Sequence, residues 1–250
     1  ILDHLFYTVQ NKAEIETWES CPSKVGMGFT DEDMKSMVSQ VRRLAEGGPI
    51  ADIDFSHYDW NVKYHDLRFE AENRIMLAGL PDESIAAKYM RFRAYTLSSK
   101  VFGLSNGLLI SQVKRGVQAS GCKNTSSTNS RNAFCRHNAV GSHGSINAGD
   151  DGIVGYVDDA PQKYARSGYK VKQYNLIDLE TGQFEFCSHM YLSDGTAYPL
   201  NVGKNVTTLL SHRGTREERE YHFNEFKHEY RHHPQRDQLL SEILRTGFLD

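Results

Sequence analysis

The 250-residue sequence predicts an α+β fold in which antiparallel strands carry the functional groups and helices flank them. Three observations lead there. Residues 146–155 place apolar side chains on both sides of Gly149-Asp150-Asp151-Gly152, the pattern of a strand, a tight turn and a returning strand. Residues 50–56 alternate in polarity and read as another strand, with Asp52 and Asp54 on one face. The first fifty and last fifty residues instead carry helical spacing and dense charge.

Taken in order, Leu2, Leu5, Phe6 and Val9 recur at helical spacing and predict an apolar helix face. Pro22-Ser23-Lys24-Val25-Gly26-Met27-Gly28 reads as a glycine-bearing loop, after which Thr30-Asp31-Glu32-Asp33 can cap a helix running to about Glu46. Gly47-Gly48-Pro49 breaks the chain before the strand at 50–56. Asp59 then opens a helix on which Trp60, Tyr64, Leu67, Ala71 and Ile75 form one core stripe, and its carboxylate is favoured at the positive end of the helix dipole. A helix restarts at Pro81-Asp82, and the stretches 95–97 and 101–110 are expected as strands.

Residues 116–131 form a Ser-Gly loop running into a helix whose first turns carry small hydroxylated side chains. Thr125 and Asn129 stand four apart on one face of it, where small polar groups can approach a sugar hydroxyl closely. Asp159-Ala160-Pro161 opens a short helix, and residues 169–176 return as a strand with Lys170 and Lys172 on one face. Residues 184–192 read as a further hairpin, followed by helices rich in charge and histidine.

Composition narrows the function classes. No apolar run approaches the roughly 20 residues that a membrane span needs. Cys21, Cys122, Cys135 and Cys187 lack Cys-x-x-Cys spacing, which fits free thiols in a reducing compartment. The chain starts at Ile1 without a signal-peptide pattern and is read as a piece of a longer polypeptide. Asn124-Thr125-Ser126 and Asn205-Val206-Thr207 match the glycosylation pattern, which has no use in a cytosolic chain. The net charge of −3 hides an asymmetry, because residues 84–149 contain no acid but carry Lys88, Arg91, Arg93, Lys100, Lys114, Arg115, Lys123, Arg131 and Arg136. Such a basic track ending at Asp150-Asp151 suits a polyanion led towards bound metal. Two adjacent carboxylates at a hairpin tip repel each other, and a cation that prefers hard oxygen ligands, Mg²⁺ or Mn²⁺, relieves the repulsion.

Asp54-x-x-x-x-Asp59, Ser120-Gly121-x-x-x-Thr125-x-x-x-Asn129 and Gly149-Asp150-Asp151 resemble, in order and spacing, motifs A, B and C of the viral RNA-dependent RNA polymerases. The wording of residues 22–28, of Asp59-Trp60, of 125–131 and of Phe186-Cys187-Ser188-His189 is similar to the sobemovirus, polerovirus and barnavirus-like group. The resemblance implies a right-hand polymerase palm, an antiparallel sheet with helices on one face, with partial fingers and a helical thumb. In its terms residues 1–50 are partial fingers, 51–76 palm with motif A, 77–115 a fingers insertion, 116–197 palm with motifs B to E, and 198–250 thumb. The basic motif F of the family is expected upstream of residue 1. His57 stands where the family commonly has Gly, which puts the local backbone turn in question.

The implied chemistry is template-directed nucleotidyl transfer with Mg²⁺ or Mn²⁺ held by Asp54 and Asp150, and with Asp151 supporting the site or binding the metal more loosely. Asp59, Ser120, Gly121, Thr125 and Asn129 are the expected binders of substrate, reading the ribose 2′-hydroxyl. Lys172, preferred over Lys170, is the expected general acid. The implied partners are RNA template and primer, ribonucleoside triphosphates and other viral replicase proteins, in replication complexes of the host cytoplasm. Two other enzyme classes compete. His228-Glu229-Tyr230-Arg231-His232 fits the zinc-protease pattern His-Glu-x-x-His, although Pro234 follows closely. A reverse transcriptase shares paired aspartates but usually has an aromatic residue where Ala148 stands. A non-catalytic RNA-binding module would need the basic track but neither Asp54 nor Asp150.

Overall fold

The computed structural model describes residues 1–178 and 180–250, which divide into two compact units. One unit comprises Ile1–Met27 with Leu44–Leu176, and the other Gly28–Arg43 with Ile177–Asp250.

The first unit begins with α1 (Leu2–Glu16), and its central sheet begins with β1 (Ile50–Phe55). Helix α2 (Asp31–Ala45) intervenes in sequence, capped by Thr30, whose Oγ1 accepts the Asp33 N–H at 3.2 Å. After β1 come α3 (Tyr58–Asn61), α4 (Tyr64–Leu77), α5 (Ile85–Ser98), the hairpin β2 (Val101–Gly103) and β3 (Leu109–Ser111), and α6 (Thr125–Ala139). The hairpin of β4 (Ser145–Ala148) and β5 (Asp151–Gly155), then α7 (Ala160–Arg166) and β6 (Val171–Leu176), complete the unit. The sheet order is β4-β5-β1-β6 and every pairing is antiparallel. Ile53 lies opposite Gly152, so β1 runs alongside the Gly-Asp-Asp hairpin. Ser23 forms a parallel bridge to Asn147, with Lys24 N–H donating to the Asn147 carbonyl and Asn147 N–H to that of Pro22. The loop at residues 22–24 thereby extends the sheet beyond β4.

An aromatic core backs this sheet: Phe55, Tyr58, Tyr164 and Tyr169 are buried together with Ala51, Ile53, Leu67, Ala71, Ile75, Met90 and Val154. Beside it lies a buried ionic cluster. Arg74 Nε meets Glu70 at 2.6 Å, and Arg131 bridges Glu70 at 2.7 Å and Glu14 at 2.6 Å. Ser127 Oγ donates to Glu14 at 2.6 Å, so α1, α4 and α6 are joined by charge where apolar packing stops. Removing one partner of such a cluster strands a buried charge, a cost on the order of 3–5 kcal/mol.

In the second unit, β7 (Phe184–Phe186), β8 (His189–Tyr191) and β9 (Ala197–Pro199) form a three-stranded sheet, one strand more than the expected hairpin. Cys187 and Ser188 turn between β7 and β8 with φ of 51° and 57°. Helices α8 (Val202–Leu210), α9 (Arg216–Glu229) and α10 (Arg236–Arg245) enclose Leu209, Phe223, Phe226, Tyr230, Ile243 and Phe248. Thr215 and Glu218 cap α9 reciprocally.

Several sequence expectations are corrected. Residues 95–97 belong to α5, not to a strand, because Ala87, Met90 and Ala94 supply a helical core stripe. That helix starts after Ser84, whose Oγ accepts the Ala87 N–H, rather than at Pro81. Trp60 is 69% exposed and lies outside the core. The chain breaks at Val62 and Lys63, where the Val62 carbonyl accepts the Val117 N–H, so the stripe of Leu67, Ala71 and Ile75 belongs to a separate helix, α4. On α1, Leu2, Leu5 and Val9 face outward. Tyr7 and Glu14 are the buried residues there, turned inward by Arg74 over the Tyr7 ring and by the ionic cluster.

His57 precedes α3 with φ 53° and ψ 48°, a left-handed conformation that crowds a Cβ. Glycine adopts it freely, so His57→Gly should stabilise the protein by about 1 kcal/mol. Chemical denaturation of the two forms checks this; an unchanged or lower midpoint would mean that the imidazole makes compensating contacts.

Candidate active site

The carboxylates expected to act together come from two neighbouring strands. Asp52 and Asp54 share a face of β1, and their neighbours on β6 separate them. Gln173 Nε2 donates to Asp52 Oδ2 at 2.5 Å and the Asn175 N–H to Oδ1 at 3.0 Å, so Asp52 is held within the sheet. At Asp54 the register slips: Asp54 pairs with Gln173 but Phe55 with Val171, leaving Lys172 as the extra residue of a β-bulge. A bulge re-aims a side chain, and Lys172 Nζ donates to Asp54 Oδ2 at 2.6 Å. The pair is partly open, with Lys172 65% and Asp54 32% exposed, so it is a weak and breakable contact.

Asp59 lies in the first turn of α3 and is clasped from two sides. Asn129 Nδ2 donates to its Oδ1 at 2.8 Å, and Ser120 Oγ donates to its Oδ2 at 3.0 Å. The Gln118 N–H donates to the Asp59 carbonyl at 2.8 Å, tying the loop before α6 to α3. Gly121 continues that loop with φ 80° and nothing within 4 Å of where a Cβ would stand. The Thr125 hydroxyl is turned to the loop instead, against the carbonyls of Ala119 at 2.6 Å and Cys122 at 3.1 Å, and receives Gln118 Nε2 at 3.2 Å. Asn129, Ser120 and Asp59 thus form one constellation, and Thr125 shapes the loop that carries it. The Asn129 Oδ1 acceptor is buried and has no hydrogen-bond partner.

Gly149 and Asp150 form the tip of the β4–β5 hairpin, which closes on the Ala148–Asp151 pair. Gly149 takes φ 70° at the first turn position, where a two-residue hairpin loop calls for a positive value. Its N–H donates to Ser130 Oγ at 2.8 Å. Burial pushes the Asp150 carboxyl above the usual carboxylate range; a backbone hydrogen bond opposes this, and the negative charges of Asp59 and Asp54 add to it. Asp150 therefore senses both other acids, while Asp151 follows it as the first residue of β5. Among the described residues no three His, Cys, Asp or Glu side chains are gathered as a ready-made metal cage. The donor chemistry nonetheless fits a hard divalent cation, since Asp54 and Asp150 offer carboxylate oxygens and their mutual repulsion falls when positive charge lies between them.

The basic track is largely consumed within the fold. Arg91 pairs with Glu72 and Asp82, Arg93 with Asp3, Arg131 with Glu14 and Glu70, Arg136 with Asp66, and Lys88 with Glu83. Lys100 donates to the Gly116 and Val117 carbonyls, and Arg115 stacks 4.4 Å from the Tyr95 ring centroid. An acid-free stretch of sequence is accordingly not a cationic lane, because other segments supply the acids. The His-Glu-x-x-His pattern is also set aside: α9 ends at Glu229, and His232 lies beyond it, 2.9 Å from Asp31.

Two buried polar residues beneath the site received no role from the sequence. Ser130 is fully buried under the Gly149 turn, and its sequence signals are its place next to Asn129 and within the run at 125–131. His137, also fully buried, meets the Tyr164 hydroxyl at 2.6 Å, and burial holds its pKa down at about 3.

A family model described as viral RNA-directed RNA-polymerase matches residues 59–213, and the chain belongs to that family. It is 33% identical over 257 residues to the RNA-directed RNA polymerase of Mushroom bacilliform virus, covering 99% of this chain and 60% of that protein. It is 37% identical over 199 residues to the replicase polyprotein P2AB of Southern bean mosaic virus, covering 78% of this chain and 20% of the polyprotein. The RNA-dependent RNA polymerase of a human picorbirnavirus superposes with a TM-score of 0.66 at 14% identity, over 93% of this chain and 49% of that one. The fold is the palm-bearing α+β fold of these polymerases, and among the described residues no helix is long and apolar enough to cross a membrane. The family generally uses divalent metals.

The charge on Asp150 opposes folding, since the folded chain holds its proton more tightly than the unfolded chain. That penalty is absent below the unfolded carboxyl pKa of about 3.9 and develops as pH rises through the folded value. In metal-free buffer Asp150→Asn should therefore raise the thermal midpoint at pH 7 and lose that advantage below about pH 4. A midpoint at pH 7 equal to or below that of the wild type would contradict the electrostatic reading.

Proposed function

We propose that this chain carries the active site of an RNA-directed RNA polymerase that copies a viral RNA genome from ribonucleoside triphosphates. The observation that supports this most is the Asp59 clasp, with Asn129 and Ser120 on its two oxygens and a buried amide oxygen left without a donor. A ribose 2′-hydroxyl is the group that such an acceptor beside a carboxylate can receive, and it distinguishes RNA from DNA precursors.

In this reading Asp54 and Asp150 hold Mg²⁺ or Mn²⁺, and Asp151 supports the turn that presents Asp150. Asp54 and Asp150 would hold the cations, whose chemistry would be to lower the pKa of an attacking 3′-hydroxyl and to neutralise charge on a leaving pyrophosphate. Lys172 starts on Asp54. Once released from it, the ammonium donates a proton to the departing pyrophosphate oxygen. Gly121 and Thr125 give the substrate loop its shape, and the Cys187-Ser188 turn serves as a primer grip. Residues 1–50 and 77–115 act as fingers, 51–76 and 116–197 as palm, and 198–250 as thumb. RNA template and primer, ribonucleoside triphosphates and other replicase proteins are the partners, in replication complexes of the host cytoplasm. The chain spans 60% of the Mushroom bacilliform virus polymerase, so the activity is assigned to a full-length polymerase and not to these residues alone.

Asn129→Ala in the full-length polymerase should lower the preference for ribo- over deoxyribonucleotides by about tenfold or more, because a polar reader left unpaired costs on the order of 1–3 kcal/mol. Steady-state kcat/KM for matched ribo- and deoxyribonucleoside triphosphates measures this. An unchanged ratio would separate Asn129 from sugar recognition.

A further inference from the structure

We propose that Ser130 is a positioning residue that sets the aim of Asp150, so that neighbouring residues of α6 serve the two halves of the site: Asn129 the sugar and Ser130 the metal-bearing turn. This rests on the polymerase reading above and adds a residue to it. Ser130 is 0% exposed. Its hydroxyl donates to the Ser126 carbonyl at 2.8 Å, one helical turn earlier, which leaves its lone pairs facing the hairpin. There it accepts the Gly149 N–H at 2.8 Å. That N–H lies in the turn, outside the β4–β5 ladder that ends at the Ala148–Asp151 pair, so the strand register gives it no partner. A partly buried N–H that loses its acceptor is unfavourable, and the turn would move to find another.

The helix end of this contact is rigid. Arg131, the next residue, is held by Glu14 of α1 and Glu70 of α4 at 2.6 and 2.7 Å. Ser127, one turn earlier, donates to Glu14 and receives Arg74. The Gly149-Asp150 turn is therefore referenced to a helix pinned by buried ions, and Ser130 Oγ is the hydrogen bond that makes the reference. Gly149 admits a wide range of backbone angles, so the Ser130 bond adds a constraint on the direction of Asp150 beyond the one that the Ala148–Asp151 closing pair supplies.

The test uses the full-length polymerase, with Mn²⁺ binding followed by titration calorimetry in the absence of nucleotide, alongside the ribo-to-deoxy ratio of kcat/KM. Ser130→Ala and Ser130→Cys are compared with the wild type; Cys keeps the volume, replaces the oxygen with a poor acceptor, and guards against a cavity-driven failure to fold. Both variants should bind Mn²⁺ about fivefold or more weakly and lower kcat, with the sugar ratio kept near the wild-type value. Asn129→Ala should do the reverse, changing the sugar ratio while keeping Mn²⁺ affinity. Wild-type Mn²⁺ affinity in a folded Ser130→Cys protein would overturn the inference and leave the polymerase reading standing. A sugar ratio that falls as far as in Asn129→Ala would overturn it too, because Ser130 would then act through the helix and not through the turn. A wild-type polymerase that binds no Mn²⁺ would remove both.

Discussion

The pairing of β1 with β5 is the contact on which the candidate site depends, and it depends in turn on the absence of a side chain at Gly152. A Cβ there would stand 3.0 Å from Ile53 Cγ2, 3.3 Å from Asn147 Oδ1 and 3.4 Å from His137 Nε2. Three elements close on one point: β1 through Ile53, β4 through Asn147 and α6 through His137. An added Cβ would require these side chains to give by a few tenths of an ångström in a densely packed interior. With glycine in place, the strand that carries Asp54 lies against the hairpin whose tip carries Asp150. The helix carrying Asn129 and Ser130 then packs beneath both.

Electrostatics divides the unit in two. The acids Glu14, Glu70 and Asp66 are each matched to an arginine at 2.5–2.7 Å, and that charge joins helices. Asp54, Asp59 and Asp150 have no such arginine; they have a lysine, two polar side chains and one another. A fold that neutralises its buried acids this thoroughly leaves Asp54, Asp59 and Asp150 under-neutralised beside the end of β1 and the tip of the β4–β5 hairpin. On the proposed polymerase reading that imbalance is what would draw a cation to the focus, and the charges of Asp54 and Asp59 that help hold the Asp150 carboxyl above its usual range are its electrostatic trace.

Local chemistry made some of this legible. The Gly-Asp-Asp hairpin and the alternation around Asp54 are period-two signals bounded by turn residues, and all three strands lie where that pattern puts them. The spacing from Thr125 to Asn129 put both residues on α6. What could not be read depends on partners distant in sequence. The basic run looked free because its acids, among them Asp3, Glu14, Asp66 and Glu70, lie outside it. Lys172 and Lys170 were equivalent by alternation until the bulge turned one of them to Asp54. Trp60 matched a helical stripe that is cut at Val62 by a bond to Val117, more than fifty residues further on. The substitution of His57 for glycine was visible, and the left-handed φ at that position gives it a physical meaning.

The central claim is that Asp54 and Asp150 form one cation site. Electron paramagnetic resonance of Mn²⁺ in the full-length polymerase tests it most directly, comparing the wild type with Asp54→Asn and Asp150→Asn, each of which keeps side-chain volume and removes one charge. Either substitution alone should abolish the tight bound-Mn²⁺ signal while the protein remains folded, since each carboxylate supplies a ligand that the other cannot replace. A bound signal of wild-type strength in either variant would contradict it and place the cation elsewhere.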